Sequence, residues 1–307
     1  MIVVGGFYHE RCVTPRANDG FGSGGRAAVA LTAVEVDVDW YYYCPANEQG
    51  RVSLQLPNPY LNHFPEATEN IITFRYFHPL SKPIFSPFTS RKSPPIKVED
   101  EVVLRFGFME GSAIVKGDRV VYDPQSPDQP IQFHENGSTA ESLAIVLNAK
   151  EVLSYGRKQA ETEAVRAIFE EDQADVVLVK AGAHGCRVYE NGELVGKCPP
   201  YQSQRIYKIG SGDVFSAAFT YHWAILKKAP LVAADAASRC TSRYCETRMP
   251  TVELGDEAKN LVPVSTNKRG KVYIAGPFFT ASELWLIEET WSAFTELGVI
   301  LFAYIMQ

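Results

Sequence analysis

The segment from Lys208 to Asp213 carries the residues of this chain that are best suited to chemistry. It reads Lys-Ile-Gly-Ser-Gly-Asp and is followed by the apolar run from Val214 to Phe219, which indicates a helix with Asp213 in its first turn. Glycines leave backbone N–H groups accessible at the positive end of a helix, where a phosphate group binds well. A carboxylate repels phosphate oxygens, so Asp213 makes sense as a base that takes a proton from an attacking hydroxyl.

This segment therefore predicts phosphoryl transfer to a small molecule. A Gly-x-Gly-Asp turn is also a common connection into a helix, because Asp is favoured at helix starts for capping alone. The rest of the chain has to decide between the two interpretations.

Length, composition and charge set the broad limits. The chain has 307 residues, of which 46% are hydrophobic and 21% charged, as in ordinary globular enzymes. Its net charge of −6 argues against a surface that binds nucleic acid. No apolar run approaches the roughly 18 residues of a membrane span. The start, Met1 to Gly6, lacks a basic leader and is predicted to be a strand, not a signal peptide.

The cysteines and histidines show no pattern of a disulfide framework or a metal site. Six cysteines are too few for a disulfide scaffold in a chain of 307 residues, and none forms a C-x-x-C pair. We therefore expect reduced thiols in a cytoplasmic protein. The six histidines are scattered, and His222 is predicted to pack within an apolar helix.

Strand-like and helical segments alternate along most of the chain. Strands are predicted at 1–6, 36–44, 101–108, 119–123, 144–147, 175–180 and 271–275, and a hairpin with an Asn-Gly turn at 187–195. Helices are predicted after Gly25, after a capping box at 138–141, at 157–170, after Asp213 and after a second capping box at 280–283. Such alternation favours an α/β fold with a mostly parallel sheet between two layers of helices.

Four segments, in this order, resemble motifs of the ribokinase-like (PfkB) family of carbohydrate and nucleoside kinases. They are Gly24-Gly25, Asn148-x-x-Glu151, the run Ala181 to Gly185, and Gly210-Ser211-Gly212-Asp213. The resemblance covers about residues 1–250, including the strand end Val121-Tyr122-Asp123-Pro124. It implies a ribokinase-like three-layer α/β/α fold with a small β lid at about residues 36–77, which would exclude water from the reaction.

The resemblance also implies roles for the residues at the matching positions. Asp213 would be the general base, and the backbone of Gly210, Ser211 and Gly212 would form the anion hole. ATP and Mg²⁺ would be the cofactors, with Glu151 and Asn148 organising the metal and its waters. Lys180, Gly182, Gly185 and Asn148 would line the nucleotide pocket. A simple helix-start turn remains the alternative for Asn148 and Glu151.

Glu10, Gly24, Gly25 and Arg26 fall where the family binds its acceptor. Many sugar kinases of the family carry an Asn shortly after the paired glycines, but this chain has Ala27, Ala28 and Val29 there. The acceptor is therefore left open as a sugar or a nucleoside. Arg26 would suit an anionic or planar acceptor, because a guanidinium group binds both well.

The predicted organisation is a kinase domain at 1–254, a linker at 255–270 and a short segment at 271–307. The last segment contains Val272-Tyr273-Ile274-Ala275-Gly276-Pro277 and resembles the opening of a nucleoside 2-deoxyribosyltransferase, from which we expect a partial βαβ unit without activity.

The function predicted is ATP-dependent phosphorylation of a hydroxyl on a sugar or nucleoside. The expected partners are small molecules, not nucleic acid or membrane, and a homodimer is compatible with the sequence. One alternative is an enzyme that cleaves or transfers at a nucleoside N-glycosidic bond. Another is a non-catalytic ligand sensor built on a kinase scaffold.

Overall fold

The computed structural model describes residues 1–87, 92–126, 130–253, 255, 260–264, 271–277, 279–296 and 300–303. Its strands are β1 (Ile2–Val4), β2 (His9–Cys12), β3 (Ala17–Gly20), β4 (Val38–Cys44), β5 (Leu61–Ala67), β6 (Thr73–Tyr76), β7 (Ile84–Ser86), β8 (Ile96–Phe106), β9 (Ala113–Asp123), β10 (Thr139–Asn148), β11 (Val176–Lys180), β12 (Cys186–Glu190), β13 (Glu193–Cys198), β14 (Lys271–Ile274) and β15 (Ile300–Ala303). Its α-helices are α1 (Gly22–Thr32), α2 (Gln49–Gln55), α3 (Glu151–Tyr155), α4 (Glu161–Asp172), α5 (Ser211–Thr220), α6 (Pro230–Thr247) and α7 (Ala281–Glu296).

A nine-stranded sheet forms the centre of the fold, in the order β13-β12-β11-β10-β9-β8-β1-β4-β5. Strands β5, β4, β1, β8, β9, β10 and β11 pair in parallel in that order, whereas β12 pairs antiparallel with both β11 and β13 at one edge. The predicted hairpin is confirmed, with Asn191 and Gly192 both at positive φ in its turn.

Apolar side chains cover both faces of this sheet. On one face they pack with α1, α5 and α6, and on the other with α3 and α4. Neighbouring residues of one strand divide between the two cores, as Val3 and Val4 of β1 do, because successive side chains point to opposite faces. The predicted three-layer α/β/α fold is thus confirmed.

A second, four-stranded sheet lies apart from the first, in the order β3-β2-β6-β7; we call it the small sheet. It differs from the lid predicted at residues 36–77, because β4 and β5 belong to the nine-stranded sheet and only β6 of that range lies in the small sheet. The physical reason is burial: Val3 pairs with Trp40, and Trp40 and Tyr42 are fully buried against α1 and its neighbours. Residues 9–20 and 73–86 supply the small sheet instead.

Two helix starts also differ from the prediction. The capping-box pattern at 138–141 opens no helix, because Thr139 and Ala140 already pair with Lys116 and Gly117 in the parallel ladder of β9 and β10. Helix α1 begins at Gly22, so the glycine pair lies inside the helix and not before it.

The C-terminal residues that the structure describes form a βαβ unit in which β14 and β15 pair in parallel. Its predicted capping box is confirmed: the Glu283 amide donates to Thr280 Oγ1 at 3.3 Å, and the Thr280 amide donates to Glu283 Oε2 at 2.9 Å. Helix α7 contacts the loop after β6, with His78 Nε2 3.1 Å from Glu289 Oε2.

Only part of the predicted linker at 255–270 lies within the described residues. There the amide of Val264 donates to the carbonyl of Pro200 at 2.8 Å, and the amide of Gln202 donates to that of Val262 at 2.9 Å. This part of the linker is therefore held against the chain after β13.

All six cysteines are free thiols. Among the helices of the described residues, none combines the length and the apolar composition needed to cross a bilayer.

Candidate active site

The start of α5 has the geometry that an anion site needs. Gly210 precedes the helix with a φ of 79°, a conformation that glycine adopts without strain. The amide of Ser211 donates to the carbonyl of Lys208, and the amide of Asp213 donates to that of Gly210. No backbone hydrogen bond of the described residues uses the amide of Gly212, so this N–H is open to a ligand at the positive end of the helix.

Asp213 belongs to a group of four polar residues that we call the Arg26 cluster: Arg26, Glu10, Asp213 and Gln125. Arg26 Nη1 donates to Asp213 Oδ2 at 2.7 Å, and Gln125 Nε2 donates to Asp213 Oδ1 at the same distance. The other side of the guanidinium faces Glu10, whose two carboxylate oxygens accept hydrogen bonds from Nη1 and Nη2. The cluster thus joins α1, the small sheet, the β9 end and α5.

The guanidinium of Arg26 lies directly over the start of the anion site. A Cβ built on Gly210 would be 2.2 Å from Arg26 Cζ, so only glycine fits beneath it. The Arg26 side chain is 1% exposed and lies 5.3 Å from the ring centroid of Phe21 and 5.9 Å from that of Tyr244. Its Nε is buried and has no hydrogen-bond partner. The predicted acceptor contact of Arg26 therefore coincides with a buried ion-pair network.

Burial and ion pairing act in opposite directions in this cluster. Burial raises the pKa of Asp213, and the Arg26 charge and hydrogen bond oppose that rise. Burial likewise raises the pKa of Glu10, again against Arg26. For Arg26 itself, burial disfavours the charge, but Glu10, Tyr244 and Asp213 outweigh it and raise the pKa further. Arg26 is therefore a fixed cation between two carboxyl groups.

A second group, the Lys180 cluster, consists of Lys180 at the end of β11, Asp123 at the end of β9 and Ser216 in α5. Lys180 Nζ donates to Asp123 Oδ2 at 2.7 Å, and Ser216 Oγ donates to the same oxygen at 2.6 Å. Asp123 Oδ1 is buried without a partner. A Cβ on Gly212 would be 3.5 Å from Lys180 Nζ, so the ammonium group borders the anion site.

Asn148 and Glu151 bind each other across the start of α3. Asn148 Oδ1 accepts from the amides of Lys150 and Glu151, each at 2.9 Å, and Glu151 Oε2 accepts from the amide of Asn148 at 2.8 Å. This is the helix-start turn that the sequence left as an alternative. Burial, followed by the charge of Asp123, raises the pKa of Glu151 to about 7.

The described residues contain no cluster of three His, Cys, Asp or Glu side chains placed to hold a metal ion. The chemistry of the site nevertheless fits a hydrated Mg²⁺, which keeps several waters and needs only one or two carboxylates. Asp123 offers an orphaned buried oxygen, and Glu151 lies close enough for the Asp123 charge to raise its pKa. Asn148 fits this role less well, because its side-chain oxygen already caps α3.

The two predicted glycine pairs differ in what surrounds them. Cβ atoms on Gly24 and Gly25 would meet the carbonyl of Gly5 at 2.2 Å and the Trp40 ring at 3.0 Å, so close packing of α1 on β1 and β4 requires both glycines. In the nucleotide segment, Gly182 and Gly185 have φ values of 55° and 80°. Gly182 faces open space, whereas a Cβ on Gly185 would collide with the Cys198 carbonyl.

The small sheet packs onto the loop that leads into Gly210. Cys12 of β2 is buried with Tyr207 and Ile209 of that loop. Arg248, just after α6, donates to Asp19 Oδ2 at 2.8 Å and lies 4.3 Å from the ring centroid of Tyr207. The hairpin of β2 and β3 is therefore held against both the loop and the end of α6.

Residues 110–248 match the pfkB family of carbohydrate kinases. The matched stretch includes both strand ends of the Lys180 cluster, the Asn148 to Glu151 turn and the start of α5. Glu10 and Arg26 precede it. No curated protein sequence has a significant match to the chain.

Solved structures of kinases share the fold of this chain. A pyrophosphate-dependent kinase in the ribokinase family, complexed with a pyrophosphate analogue and myo-inositol, has 15% identity and a TM-score of 0.56, covering 84% of this chain and 99% of its own. Phosphofructokinase-2 from Escherichia coli with substrates and products has 10% identity and a TM-score of 0.56, covering 85% and 97%. Fructokinase from Vibrio cholerae O395 with fructose, ADP and calcium has 13% identity and a TM-score of 0.55, covering 84% and 97%.

Three residues at or near the site were not predicted from the sequence. Gln125 lies two residues after Asp123 and bonds to Asp213. Tyr8 donates its hydroxyl to Glu110 Oε2 at 2.9 Å, and burial raises the pKa of Glu110 to about 7. Their only signal is position, because each follows a strand of the parallel sheet at the edge where such sheets bind ligands.

Proposed function

We propose that this chain transfers the terminal phosphoryl group of ATP to a hydroxyl of a sugar or a nucleoside. The observation that carries the proposal is the buried Asp213 carboxylate in the first turn of α5, beside the open N–H of Gly212 and the ammonium of Lys180. The match of residues 110–248 to the pfkB family of carbohydrate kinases supports the reaction class.

In the proposed mechanism, Asp213 accepts the proton of the attacking hydroxyl. A carboxylate oxygen has room for a further hydrogen bond besides those from Arg26 and Gln125, which hold it in place. The raised pKa that burial gives Asp213 makes it a stronger base, while Arg26 keeps it ionised.

The charge on the transferred phosphoryl group meets donors that are already in position. The amides at the start of α5 and the helix dipole stabilise that charge without rearrangement of solvent. Lys180 adds a positive charge beside Gly212. Mg²⁺, when bound, would neutralise charge on the donor phosphates, and Glu151 and Asp123 are the residues that would hold its waters.

A ligand sensor remains a second candidate, and one observation favours it. Both oxygens of Asp213 already accept hydrogen bonds from protein side chains, as in a structural ion pair. The N-glycosidic enzyme is not favoured by any residue of the described site.

One experiment separates these functions. The full chain is incubated with Mg²⁺, ATP and a panel of sugars, polyols and nucleosides, with pyrophosphate as a parallel donor, and the products are identified by mass spectrometry. Our account predicts an acceptor monophosphate formed together with ADP. Ligand binding without a phosphorylated product would support the sensor, and release of a free base without donor consumption would support the glycosidic enzyme. Either result would overturn the proposal.

A further inference from the structure

Three buried carboxyl groups lie in the part of the molecule where an acceptor would meet Asp213, and Asp213 is one of them. Two of them, Glu10 and Asp213, contact Arg26. The third, Glu110, is 3% exposed and binds the hydroxyl of Tyr8. Tyr8 lies close enough to Asp213 for the charge of that carboxylate to raise the Tyr8 pKa, although burial contributes most. Tyr8 also packs against Phe74 of the small sheet, with ring centroids 5.3 Å apart.

Three described cations that lie near these acids have partners. The guanidinium group of Arg26 donates through Nη1 and Nη2 to Glu10 and through Nη1 to Asp213. Lys180 is paired with Asp123 at 2.7 Å, and Lys92 donates to the carbonyl of Met109. A phosphate or carboxylate on the acceptor would bring further negative charge to Arg26, whose single positive charge already faces two buried carboxylates.

An uncharged acceptor avoids this conflict. Arg26 Nε is a buried donor without a partner. A hydroxyl oxygen can accept a hydrogen bond from it while Nη1 and Nη2 keep their hydrogen bonds to Glu10 and Asp213. Carboxylate oxygens accept hydrogen bonds from further hydroxyl groups. The ring of Phe21, which lies beside the guanidinium and is partly exposed, offers apolar surface to the C–H face of a sugar or polyol.

We propose that the acceptor is an uncharged polyhydroxylated molecule, such as a free sugar, a cyclic polyol or a nucleoside, and not its phosphorylated or carboxylated counterpart. This rests on the proposed function, because it describes the acceptor of that reaction. It also revises the expectation that Arg26 receives an anionic acceptor.

Binding to matched pairs of compounds tests the proposal. Isothermal titration compares fructose with fructose 6-phosphate, ribose with ribose 5-phosphate, myo-inositol with its monophosphate, and nucleosides with their monophosphates. Mg²⁺ with a non-hydrolysable ATP analogue or with methylenediphosphonate is present, so that donor phosphates and not the acceptor's phosphate occupy the start of α5. We expect at least one uncharged compound to bind about tenfold or more tightly than its phosphate. Equal or tighter binding of the phosphates, or no binding of any uncharged compound, would overturn the proposal.

A charge variant sharpens the test. Glu10→Gln keeps the shape of the side chain but removes one of the two carboxylates on Arg26. We expect it to shift the ratio of affinities toward the phosphorylated member of each pair by on the order of tenfold. Glu99→Gln is the matched control: Glu99 is exposed and precedes Asp100, which lies 3.6 Å from the amino terminus, at the opposite end of β1 from the site. An unchanged ratio in Glu10→Gln, or an equal shift in Glu99→Gln, would contradict the charge argument.

The binding readout keeps this inference separate from the proposed function. Preferential binding of uncharged compounds without phosphoryl transfer would reject the kinase activity and retain the inference. Phosphoryl transfer to a sugar phosphate or sugar acid in preference to its uncharged counterpart would reject the inference and retain the kinase.

Discussion

Arg26 Nη1 lies 2.7 Å from Asp213 Oδ2, although 187 residues separate the two along the chain. The pair joins the start of α1 to the start of α5 and brings the only charged residue of α1 to the helix that carries the proposed base. Glu10 on the other side of the guanidinium extends the pair into the small sheet. These contacts tie the proposed acceptor and phosphoryl regions together.

We expect Arg26→Met to destabilise the protein strongly, because it leaves Glu10 and Asp213 as buried charges without a partner. The loss in the free energy of unfolding should be about 3–5 kcal/mol, measured by urea unfolding. The double variant with Glu10→Gln should recover part of it. Arg51→Met, which removes an exposed guanidinium paired with Glu48, should cost less than about 1 kcal/mol. If the losses in unfolding free energy from Arg26→Met and Glu10→Gln simply add in the double variant, the predicted coupling between the two residues is contradicted.

Glu110 should make stability depend on pH. Its pKa is raised to about 7 by burial, so the folded protein holds a proton that the unfolded chain has released above its ordinary carboxyl pKa. Stability relative to Glu110→Gln should therefore fall as pH rises from about 5 to 8, by on the order of 2–3 kcal/mol. Gln at this position can still accept from Tyr8. Urea unfolding of both proteins across this range checks the sign, and a difference that stays constant would refute it.

The ion pair between Arg248 and Asp19 should hold the small sheet in its observed place. We expect Arg248→Ala to speed amide hydrogen exchange in residues 9–20 with a change in global stability of about 1 kcal/mol or less, since both side chains are partly exposed. The reversed pair, Asp19→Arg with Arg248→Asp, should restore slow exchange. If exchange in Arg248→Ala matches the wild type, the contact has no such role.

Gly210 should tolerate no side chain. Gly210→Ala strains a backbone at φ 79° and drives a methyl group into the guanidinium of Arg26. We expect a loss of about 1–3 kcal/mol in unfolding free energy. Gly50→Ala in α2 is the control, because no atom lies within 4 Å of its Cβ, and alanine should stabilise that helix by about 1 kcal/mol. Equal stabilities for the two variants would contradict the packing account.

The sequence predicted the central sheet better than the small one. The strands at 175–180 and 144–147 could be recognised in the sequence as continuous apolar runs, because the strands of a parallel sheet are buried on both faces. Residues 36–44 were predicted as a strand but assigned to the lid, whereas β4 lies in the central sheet with Trp40 and Tyr43 buried in the cores on its two faces. Strand pairing is a long-range property, so the limits of the small sheet could not be predicted.

In the candidate site, too, the features with a local sequence signal were predicted and those that depend on long-range packing were not. The glycines around Ser211 predicted the turn into α5 with Asp213 in its first turn, since their spacing has a local physical meaning. The ion pair of Arg26 with Asp213 had no local signal, because it depends on how α1 and α5 pack. Asn148 and Glu151 were predicted as a pair. Their spacing fits both a metal site and a turn that caps a helix, so the sequence alone could not decide between these two roles.

The rate of phosphoryl transfer in Asp213→Asn tests the central claim most directly. The steady-state rate is measured with Mg²⁺, ATP and the acceptor identified from the panel, and Asp118→Asn, which makes the same change at an exposed position, is the control. Our account predicts that Asp213→Asn lowers kcat by about 10²–10⁴-fold while the protein remains folded and Asp118→Asn keeps wild-type activity. A kcat in Asp213→Asn equal to that of the wild type would contradict the account.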